Sequence, residues 1–316
     1  MGQFHTVLVT GAAGLIGSAV TRLLVARGYR VVACDDFSIG TWRDGHDELV
    51  WEQLDVTDAA FPLRLAGHGV EAVVHCAAHP GGRSLQEPSD NVRVNALGSM
   101  RVFEWCARVG IPVVYLSSSA VYGEQPPAPI TETAALRPGT VYGICKVACE
   151  HFLRVLGAGA GLQWTVLRLF ATYGAGHRPS VHQGIVNVML TQLLAGHTVV
   201  VRGSLDRRRD LVYVDDAARA IVDCLVNPST RGRIVNVGTG VPMTVRDVLI
   251  ELCRTLGRRL NDLAITEAEP TVGDPQYSVA DIGQLTRLGW APQVSFRVGV
   301  ERLVRERRRE ERCAAF

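Results

Sequence analysis

Short apolar runs alternate with longer segments of helical periodicity through the first half of the chain. The runs are rich in β-branched residues, which is typical of buried strands. They cover Thr6–Val9, Arg30–Cys34, Ala72–His75, Pro112–Leu116 and Trp164–Leu169. The helical patterns cover Ser18–Ala26, Val92–Gly110 and Tyr142–Leu156. This alternation predicts parallel strands joined by crossover helices that cover both faces of the sheet. The expected fold class is α/β, a Rossmann-like doubly wound parallel sheet.

The pattern changes after Gly174, where the apolar runs become shorter and less regular. In order, the chain shows a polar loop with His177 and His182, an amphipathic segment at Gly184–Ala195, a basic turn at Arg207–Arg209 and a strand-like run at Arg233–Val237. We expect that last run to complete the main sheet. Residues 1–175, with a returning strand near 233–240, would then form one domain. Residues 176–316 would form a smaller, interwoven α/β region.

A glycine-rich turn, Thr10–Gly17, lies between the first strand and the first helix. Gly11 would allow a tight turn, Gly14 a close approach of phosphate to the backbone, and Gly17 close packing of helix on strand. In this setting a pyrophosphate can bind the N–H groups of a helix N-terminus. The second strand ends in Asp35, where a carboxylate would bind adenosine ribose hydroxyls. An ordinary turn beside a surface aspartate is the alternative, but the combination favours a dinucleotide site.

A tyrosine and a lysine, Tyr142 and Lys146, lie four residues apart on a predicted helix and therefore on one face of it. A nearby ammonium group favours phenolate over phenol, so the tyrosine could act as a base. Such a spacing also arises by chance. The run Ser117–Ser119 argues against chance, because it ends a predicted parallel strand, where α/β sheets bind ligands. Turn chemistry is the alternative explanation of the serines.

Composition and charge narrow the classes of partner. The formal net charge is +2 with 20% charged residues, so nothing points to nucleic acid. Arginines near the C-terminus alternate with glutamates, which indicates a solvated helix face; an anion or partner site is the alternative. No apolar run has membrane-spanning length and no signal pattern precedes the first strand. We expect a cytoplasmic protein with no membrane partner.

The eight cysteines show no CxxC pairing. Cys145 and Cys149 lie four apart on a predicted helix, but no second ligand pair completes a metal site. We therefore expect reduced thiols and no bound metal.

Several motifs occur together and in a fixed order. They are Thr10–Gly17, Asp35, Leu54–Val56, His75–Ala78, Asn95, Leu116–Gly123, Tyr142–Lys146 and Arg209–Asp216. In this combination the chain resembles the extended short-chain dehydrogenase/reductases, and within them the nucleotide-sugar epimerase/dehydratase branch that includes UDP-glucose 4-epimerases. The resemblance extends from about Val7 to Trp290, nearly the whole chain.

The resemblance implies an NAD cofactor and a nucleotide-sugar substrate. Tyr142 would take a proton from a sugar hydroxyl, Lys146 would hold the nicotinamide ribose, and Ser118 would be the catalytic serine. The residues implied at the cofactor are Gly11, Ala13, Gly14, Leu15, Ile16, Gly17, Asp35, Asp36, Ser38, Gly40, Asp55, Val56, Ala77, Ala78, Asn95, Ser117, Tyr142, Lys146 and Leu169. Those implied at the substrate are Ser118, Ser119 and Arg209, whose guanidinium would grip the diphosphate.

The family's reactions differ in the residues after the catalytic serine. Members that eliminate water carry an acidic pair there, whereas this chain has Ser119 and Ala120. Epimerisation at C4 through a transient 4-keto sugar therefore fits better, with no net redox change. A 4-keto-sugar reductase, a dehydratase and a non-catalytic cofactor-binding regulator are the alternatives, although intact Ser118, Tyr142 and Lys146 argue against the last.

Two positions depart from the family's substrate pattern. Ala171 replaces an asparagine that contacts the diphosphate, and Thr271 replaces a second phosphate-binding arginine. A lost charge-assisted contact costs about 1.5–3 kcal/mol, which favours a ligand other than a standard UDP-hexose. Arg83, in a Pro- and Gly-rich loop, is a candidate for the missing cation. His177 and His182 are interpreted as solvated loop residues, with substrate contact or acid–base chemistry as the alternative.

The resemblance also implies a homodimer. Segments 95–110 and 142–156 would lie side by side and pair with their two-fold mates in a four-helix interface. Val102, Trp105, Val147 and Phe152 are candidates for the outer stripe, although some of them must face the sheet.

Overall fold

The computed structural model describes residues 4–176 and 184–314, without the side chains of Glu311, Cys313 and Ala314. The strands are β1 Thr6–Thr10, β2 Arg30–Asp35, β3 Leu49–Gln53, β4 Ala72–His75, β5 Val113–Ser118, β6 Trp164–Leu169, β7 Ala171–Tyr173, β8 Val199–Arg202, β9 Arg208–Tyr213, β10 Arg233–Val237, β11 Pro242–Thr244, β12 Ile265–Ala268 and β13 Tyr277–Ser278. The helices are α1 Leu15–Ala26, α2 Phe61–Leu65, α3 Pro88–Asn91, α4 Ser99–Val109, α5 Val141–Ala160, α6 Ile185–Leu194, α7 Val214–Val226, α8 Val245–Leu256, α9 Gly283–Arg287 and α10 Phe296–Ala314.

Seven parallel strands form the main sheet in the order β10-β6-β5-β4-β1-β2-β3. The chain moves outwards from β1 to β3 and then returns to β4 on the other side of β1. The strand order therefore reverses between β1 and β4, and such a point opens a crevice at the carboxyl ends of the strands. The predicted α/β class and doubly wound sheet are confirmed.

The side chains of each central strand alternate between two apolar layers. Val7 and Val9 of β1 pack in the layer that contains α1 and α7, whereas Leu8 packs in the layer of α4 and α5. Both layers are fully buried around β1, which explains why its sequence is continuously apolar. Helices therefore cover both faces of the sheet.

The second half of the chain contributes to two structures. Its β10 pairs with β6 in the main sheet, while β9 pairs with β7, β11 and β13 in a smaller sheet beside the crevice. Strands β8 and β12 form a separate parallel pair. This smaller sheet is thus assembled from segments far apart in the sequence.

The segment predicted as one helix over 92–110 is divided in the structure. Helix α3 is followed by a π-helical segment at Val92–Gly98 and then by α4. Asn95, in the middle of the π-helical segment, is fully buried and exchanges hydrogen bonds with the backbone of His79. A local widening of this kind is common near functional sites.

Two further properties concern the described ranges as a whole. None of their helices has the length and apolar character needed to cross a membrane. Every cysteine whose side chain is described carries a free thiol.

Candidate active site

A cavity of about 990 Å³ lies at the carboxyl ends of the central strands. It extends from the glycine-rich turn after β1 to β7, β9 and the start of α6. Its position is the crevice expected from the reversal of strand order. The cavity is large enough to take more than one ligand along its length.

The glycine-rich turn brings backbone against the cavity at one end. Gly11 has φ +66°, and a Cβ built on it would come 2.6 Å from the backbone nitrogen of Ala77. A Cβ on Gly17 would lie 2.0 Å from the carbonyl oxygen of Gly11. Gly14 is the N-cap of α1 and offers no side-chain hydrogen bond to the first turn. The first N–H groups of α1 therefore face the cavity without a side-chain cap, as anion binding requires.

Asp35 lies beside this turn at the end of β2. Its carboxylate oxygens accept hydrogen bonds from the backbone N–H of Ala13 at 2.9 Å and of Phe37 at 2.8 Å. Burial raises the pKa of Asp35, while those two N–H donors act in the opposite direction. Asp36 accepts from the backbone and hydroxyl of Ser38. Both carboxylates line the cavity, which makes this end negative.

The buried His75 fixes the wall between the two ends. Its Nδ1 lies 2.6 Å from Oγ1 of Thr10 and its Nε2 lies 3.0 Å from Oγ of Ser99. Burial lowers the pKa of His75 to about 3, with a smaller contribution from the charge of Lys146. The ring is therefore neutral at physiological pH and has a structural role, linking β1 and β4.

Ser118, Tyr142 and Lys146 line the middle of the cavity. Ser118 ends β5, and its Oγ accepts from the N–H of Ala120 at 3.2 Å, so the hydroxyl hydrogen remains available to donate. The Nζ of Lys146 donates to the carbonyl oxygen of Leu116 at 2.8 Å and lies 5.5 Å from the centre of the Tyr142 ring. The arrangement places a cation, a phenol and a hydroxyl around one volume.

Close backbone packing holds the start of α5 against the end of β5. Thr140 caps α5 by accepting from the N–H of Gly143, and a Cβ on Gly143 would come 2.7 Å from the carbonyl oxygen of Ala120. From the other side, the buried Ser84 accepts from the N–H of Tyr142 at 2.9 Å. Tyr142 is therefore fixed by its backbone on two sides, independently of its hydroxyl.

A buried polar network lies beneath these groups. Glu150, two turns after Tyr142 on α5, accepts from Ser117 Oγ at 2.6 Å and from Arg168 Nε and Nη2 at 2.9 and 2.6 Å. Arg168 on β6 also donates to the hydroxyl of Tyr122. Both charged side chains are almost completely buried. Glu150 thus ties the helix of Tyr142 and Lys146 to the strand of Ser118.

The comparisons with known proteins agree with this geometry. A model of the NAD dependent epimerase/dehydratase family matches residues 7–238, which is well over half of the chain. The chain belongs to this family. UDP-glucose 4-epimerase of Mycolicibacterium smegmatis is 33% identical over 309 residues, covering 94% of this chain and 96% of that protein.

Solved structures of family members share the whole fold. A UDP-glucose 4-epimerase of Thermus thermophilus, in complex with NAD, is 32% identical and superposes with a TM-score of 0.89, covering 96% of this chain and 99% of that one. A UDP-glucose 4-epimerase of Thermotoga maritima with UDP-glucose is 30% identical, with a TM-score of 0.90 and coverages of 97% and 99%.

Most residues implied by the family motifs line the cavity. At the cofactor end and the middle they are Gly11, Ala13, Gly14, Leu15, Ile16, Gly17, Asp35, Asp36, Ser38, Gly40, Asp55, Val56, Ala77, Ala78, Ser117, Ser118, Tyr142, Lys146 and Leu169. Arg83 also lines it, with half of its side chain exposed and Glu87 3.9 Å away. Ser117 contributes to the wall, but its hydroxyl donates to Glu150.

Three of the predicted residues do not line the cavity. Asn95 lies behind the wall, where its amide holds the backbone of His79. Ser119 begins a 3-10 turn, Ser119–Val121, that carries it away from the cavity. Arg209 lies on β9 two residues before Leu211, which lines the cavity, and its Nη2 donates to Asp274 at 2.6 Å. Asn95 therefore contributes to the cavity by holding His79, which lines it. Ser119 and Arg209 could contact only a ligand that extends beyond the cavity.

The end of the cavity away from the glycine-rich turn also contains residues that the motifs did not indicate. They are Ile185 and Val186 at the start of α6, and Thr172 and Tyr173 on β7. Apart from Thr172 these side chains are apolar, and they carry no local sequence signal because ordinary core residues look the same. His177 and His182 lie outside the described residues.

The loop 79–84 lies directly on the catalytic tyrosine of the family motif. A Cβ built on Gly81 would come 3.1 Å from Cδ1 of Tyr142. The ring of His79 pairs with Glu87 at 2.7 Å and with the amide of Asn91 at 2.8 Å. The nearby Cys76 lines the cavity, but burial raises its thiol pKa to about 12, so it is not a thiolate nucleophile.

Proposed function

We propose that this protein is an NAD-dependent epimerase that inverts C4 of a nucleotide-activated sugar. The observation that carries the proposal is that Ser118, Tyr142 and Lys146 face one cavity whose far end has the glycine turn and carboxylate of a dinucleotide site. The epimerases of M. smegmatis, T. thermophilus and T. maritima support it, because similarity to them extends over almost the entire chain.

The residues at the cofactor end fit a dinucleotide. Gly11 and Gly17 leave no room for a Cβ, so the backbone approaches the ligand closely, and the uncapped first turn of α1 suits a pyrophosphate. Asp35 and Asp36 favour a free ribose hydroxyl over a 2′-phosphate, because like charges repel. This end of the cavity would therefore bind NAD in preference to NADP.

The proposed reaction needs one proton acceptor and one hydrogen-bond donor. As the C4 hydrogen leaves as hydride, Tyr142 takes the proton of the C4 hydroxyl, and Ser118 Oγ holds the oxygen that becomes the keto group. Lys146 stabilises the tyrosine anion and the bound ribose. NAD, when bound, supplies the hydride acceptor and returns the hydride. After the keto sugar turns over, Tyr142 returns the proton, so atoms and charge balance over one cycle.

A dehydratase would need a further acid beside the keto group. The residues after Ser118 are Ser119 and Ala120, and neither carries a carboxyl group. A hydride that returns to the opposite face of the same carbon requires no such acid. Epimerisation is therefore favoured over water elimination.

We also propose that residues 1–175 bind mainly the cofactor and residues 176–316 mainly the substrate. Support comes from the lining of the cavity, since β9 and α6 contribute at the end away from the glycine turn. Arg209 would bind the diphosphate, and Arg83 would be an exposed cation at the rim. A cytoplasmic location stays a prediction from the sequence.

The homodimer is a further part of the proposal. Val102 and Trp105 are buried in the core rather than on the outer stripe, because α4 turns them towards the sheet. The exposed apolar side chains of these segments include Leu97, Ile144 and Val155, with exposures of 48%, 55% and 70%. Residues 144 and 155 are three turns apart on α5 and share a face, which packs beside the segment of Leu97.

Light scattering tests the dimer. The wild type should be dimeric at micromolar concentration, and Val155→Asp should shift it towards monomer because it adds a charge to the shared face. Leu63→Asp is the matched control, since Leu63 is 78% exposed on α2, away from α5. A monomeric wild type, or equal effects of both variants, would contradict the arrangement.

The activity is tested by incubating the purified protein with a panel of nucleotide sugars without added cofactor. Chromatography should resolve one sugar converted to its C4 epimer until both are in equilibrium. Conversion that requires stoichiometric added NADH or NADPH would instead identify a 4-keto-sugar reductase. Release of water and a 4-keto-6-deoxy product would identify a dehydratase, and no conversion of any sugar would refute catalysis.

A further inference from the structure

Two arginines share one aspartate at the substrate end of the smaller sheet. Arg207 immediately precedes β9 and Arg209 is its second residue. Because side chains alternate along a strand, these two share a face with Leu211, and Leu211 lines the cavity. Their common bond to Asp274 confirms that both guanidinium groups lie on the same side. The three residues Arg207, Arg209 and Asp274 are called the Asp274 cluster below.

The Asp274 cluster carries one positive charge in excess. Arg207 Nη1 donates to Oδ2 of Asp274, and Arg209 Nη2 donates to Oδ1 at 2.6 Å. The arginine side chains are only 4% and 10% exposed, so water screens them poorly. Burial lowers the pKa of Arg207; Asp274 raises it and the charge of Arg209 lowers it again. A guanidinium nevertheless stays protonated in proteins, so two cations face one carboxylate.

Other acids near the cluster are directed elsewhere. Asp210 accepts from the N–H groups of Thr239 and Gly240 on the opposite face of β9. The side chain of Asp206 is 80% exposed and lies 3.7 Å from Arg246. Glu267 on β12 adds a weak favourable interaction with Arg207 and is itself exposed. The excess charge thus lacks a second carboxylate partner within the described ranges.

Hydrogen-bond donors of the cluster also remain available. Arg207 uses Nε for the carbonyl of Ser204 and Nη1 for Asp274, while Arg209 uses Nη1 for the carbonyl of Arg208 and Nη2 for Asp274. This leaves Nη2 of Arg207 and Nε of Arg209 without a hydrogen-bond partner among residues 4–176 and 184–314. Phosphate oxygens are suitable acceptors for such paired donors.

The cluster lies next to the start of the helix that carries Tyr142. Gly273 packs against the residues before α5: a Cβ on Gly139 would come 2.8 Å from Cα of Gly273, and a Cβ on Gly273 would come 2.7 Å from Cγ2 of Thr140. Thr140 is the N-cap of α5. The loop of Asp274 therefore connects the cluster to the tyrosine's helix by backbone contact.

We propose that Arg207 is a second guanidinium for the diphosphate of the nucleotide sugar, acting beside Arg209, and that Asp274 is the positioning residue for both. The inference rests on the proposed function, because it assigns a binding role within the same site. It accounts for Thr271: the cation expected there comes instead from Arg207, the residue before β9. Arg83, expected from the sequence to replace it, is half exposed and lies near Glu87. Arg207 is almost fully buried and is held in place by Asp274, so it is better suited than Arg83 to bind a diphosphate.

Nucleotide binding tests the assignment without turnover. Calorimetry with UDP, dTDP and GDP identifies the nucleoside diphosphate that the wild type binds most tightly. Arg207→Met should weaken that binding about tenfold to a hundredfold, the range for a lost charge-assisted contact. Arg208→Met is the matched control, because Arg208 is its exposed neighbour on the other face of the strand, and its affinity should stay within about twofold of the wild type.

Further measurements separate binding from folding and from catalysis. NAD affinity should be unchanged in Arg207→Met, the KM for the sugar nucleotide should rise, and kcat should change little. If Arg207→Met loses NAD binding through misfolding, Arg207→Lys decides. It keeps the charge without the planar fork, so nucleotide binding should still fall measurably, by less than about tenfold, and wild-type affinity in this variant would overturn the proposal.

Three further results would overturn the proposal: unchanged nucleotide affinity in a folded Arg207→Met, equal losses in Arg207→Met and Arg208→Met, or no nucleoside diphosphate bound by the wild type. A chain that binds a nucleotide through Arg207 but isomerises no sugar would refute the epimerase and leave this assignment in place.

Discussion

The two ends of the cavity are built by different means. The cofactor end is formed mainly by backbone groups. They are a glycine turn, the first turn of α1 and two N–H groups that hold a carboxylate, all within residues 11–37. At the substrate end, the wall comes from side chains on β7, β9 and α6, and the Asp274 cluster joins residues more than 60 positions apart. One end is local in sequence and the other is assembled by the fold.

This difference explains how much each end can vary. Backbone that approaches a ligand closely tolerates no added Cβ, so its sequence is restricted to glycine and its recognition is fixed. A long guanidinium side chain can reach a ligand from different segments, so under the proposal above Arg207 offsets the cation absent at Thr271. The first end accordingly indicates the shared cofactor, and the second is where substrate differences between relatives should lie.

Tyr142→Phe is expected to have the largest effect, because the two ends meet at this residue. General acid–base groups contribute about 10²–10⁴-fold in rate, so kcat should fall at least a hundredfold. NAD affinity should change little, since the ring, Lys146 and the backbone bond to Ser84 remain. Ser118→Ala should lose less, because it removes a supporting hydrogen bond. Steady-state turnover gives kcat and calorimetry gives NAD affinity for both variants. Tyr29→Phe, away from the cavity, is the control. Wild-type turnover in Tyr142→Phe would refute the mechanism.

Glu150→Gln tests whether both ends of the cavity depend on the buried hydrogen-bond network of Glu150 and Arg168. The substitution leaves Arg168 as an unpaired buried charge, and breaking such a pair costs about 3–5 kcal/mol of unfolding free energy. Urea denaturation measures the loss, and both NAD and nucleotide affinity should fall with it. Glu301→Gln is the control, since Glu301 pairs with Arg254 at the surface and its loss should be undetectable. A stable Glu150→Gln with two intact binding sites would show that the ends are independent.

The sequence was sufficient for the parts whose signals are local. The sheet, the glycine turn, Asp35 and the Tyr142–Lys146 pair follow from periodicity and spacing, and the structure brings the latter residues to one cavity. The edge strand β3 was not predicted, because Leu49–Gln53 is only partly buried and contains polar residues. The π-helical segment was also missed, because no local pattern marks it and its buried Asn95 bonds to the backbone of His79, 16 residues away in the sequence.

The substrate end could not be predicted for a physical reason. Pairing of β9 with β7, β11 and β13 decides which side chains face the cavity, and a shift of one residue would reverse every face. The sequence shows a basic turn at Arg207, Arg208 and Arg209. Nothing in it indicates that the middle arginine is exposed and the other two are buried. Only the register separates the exposed Arg208 from its two buried neighbours.

Gly17→Ala should affect one end of the cavity and spare the other. The new Cβ would lie 2.0 Å from the carbonyl oxygen of Gly11, so the turn must move. Overpacking costs about 1–3 kcal/mol. If this cost appears as distortion of the turn that binds NAD, NAD affinity should fall roughly tenfold to a hundredfold. Nucleoside diphosphate affinity should be unchanged. Gly159→Ala on α5 is the control, because no atom lies within 4 Å of its new Cβ. Equal loss of both ligands would contradict the separation of the two ends.

Asp35 should set cofactor preference by a smaller amount. The wild type should bind NAD at least about fivefold more tightly than NADP, since even a well-screened contact of two like charges costs about 1 kcal/mol or more. Asp35→Asn removes the charge and one of the two acceptors for the N–H groups of Ala13 and Phe37, so NAD affinity should fall while that of NADP rises. Asp36→Asn should shift the ratio less, because its carboxylate is bound to Ser38. Asp44→Asn, in an exposed loop, is the control. Calorimetry on the cofactor-free protein measures all four, and equal or tighter binding of NADP by the wild type would show that the Asp35 carboxylate does not face the ribose.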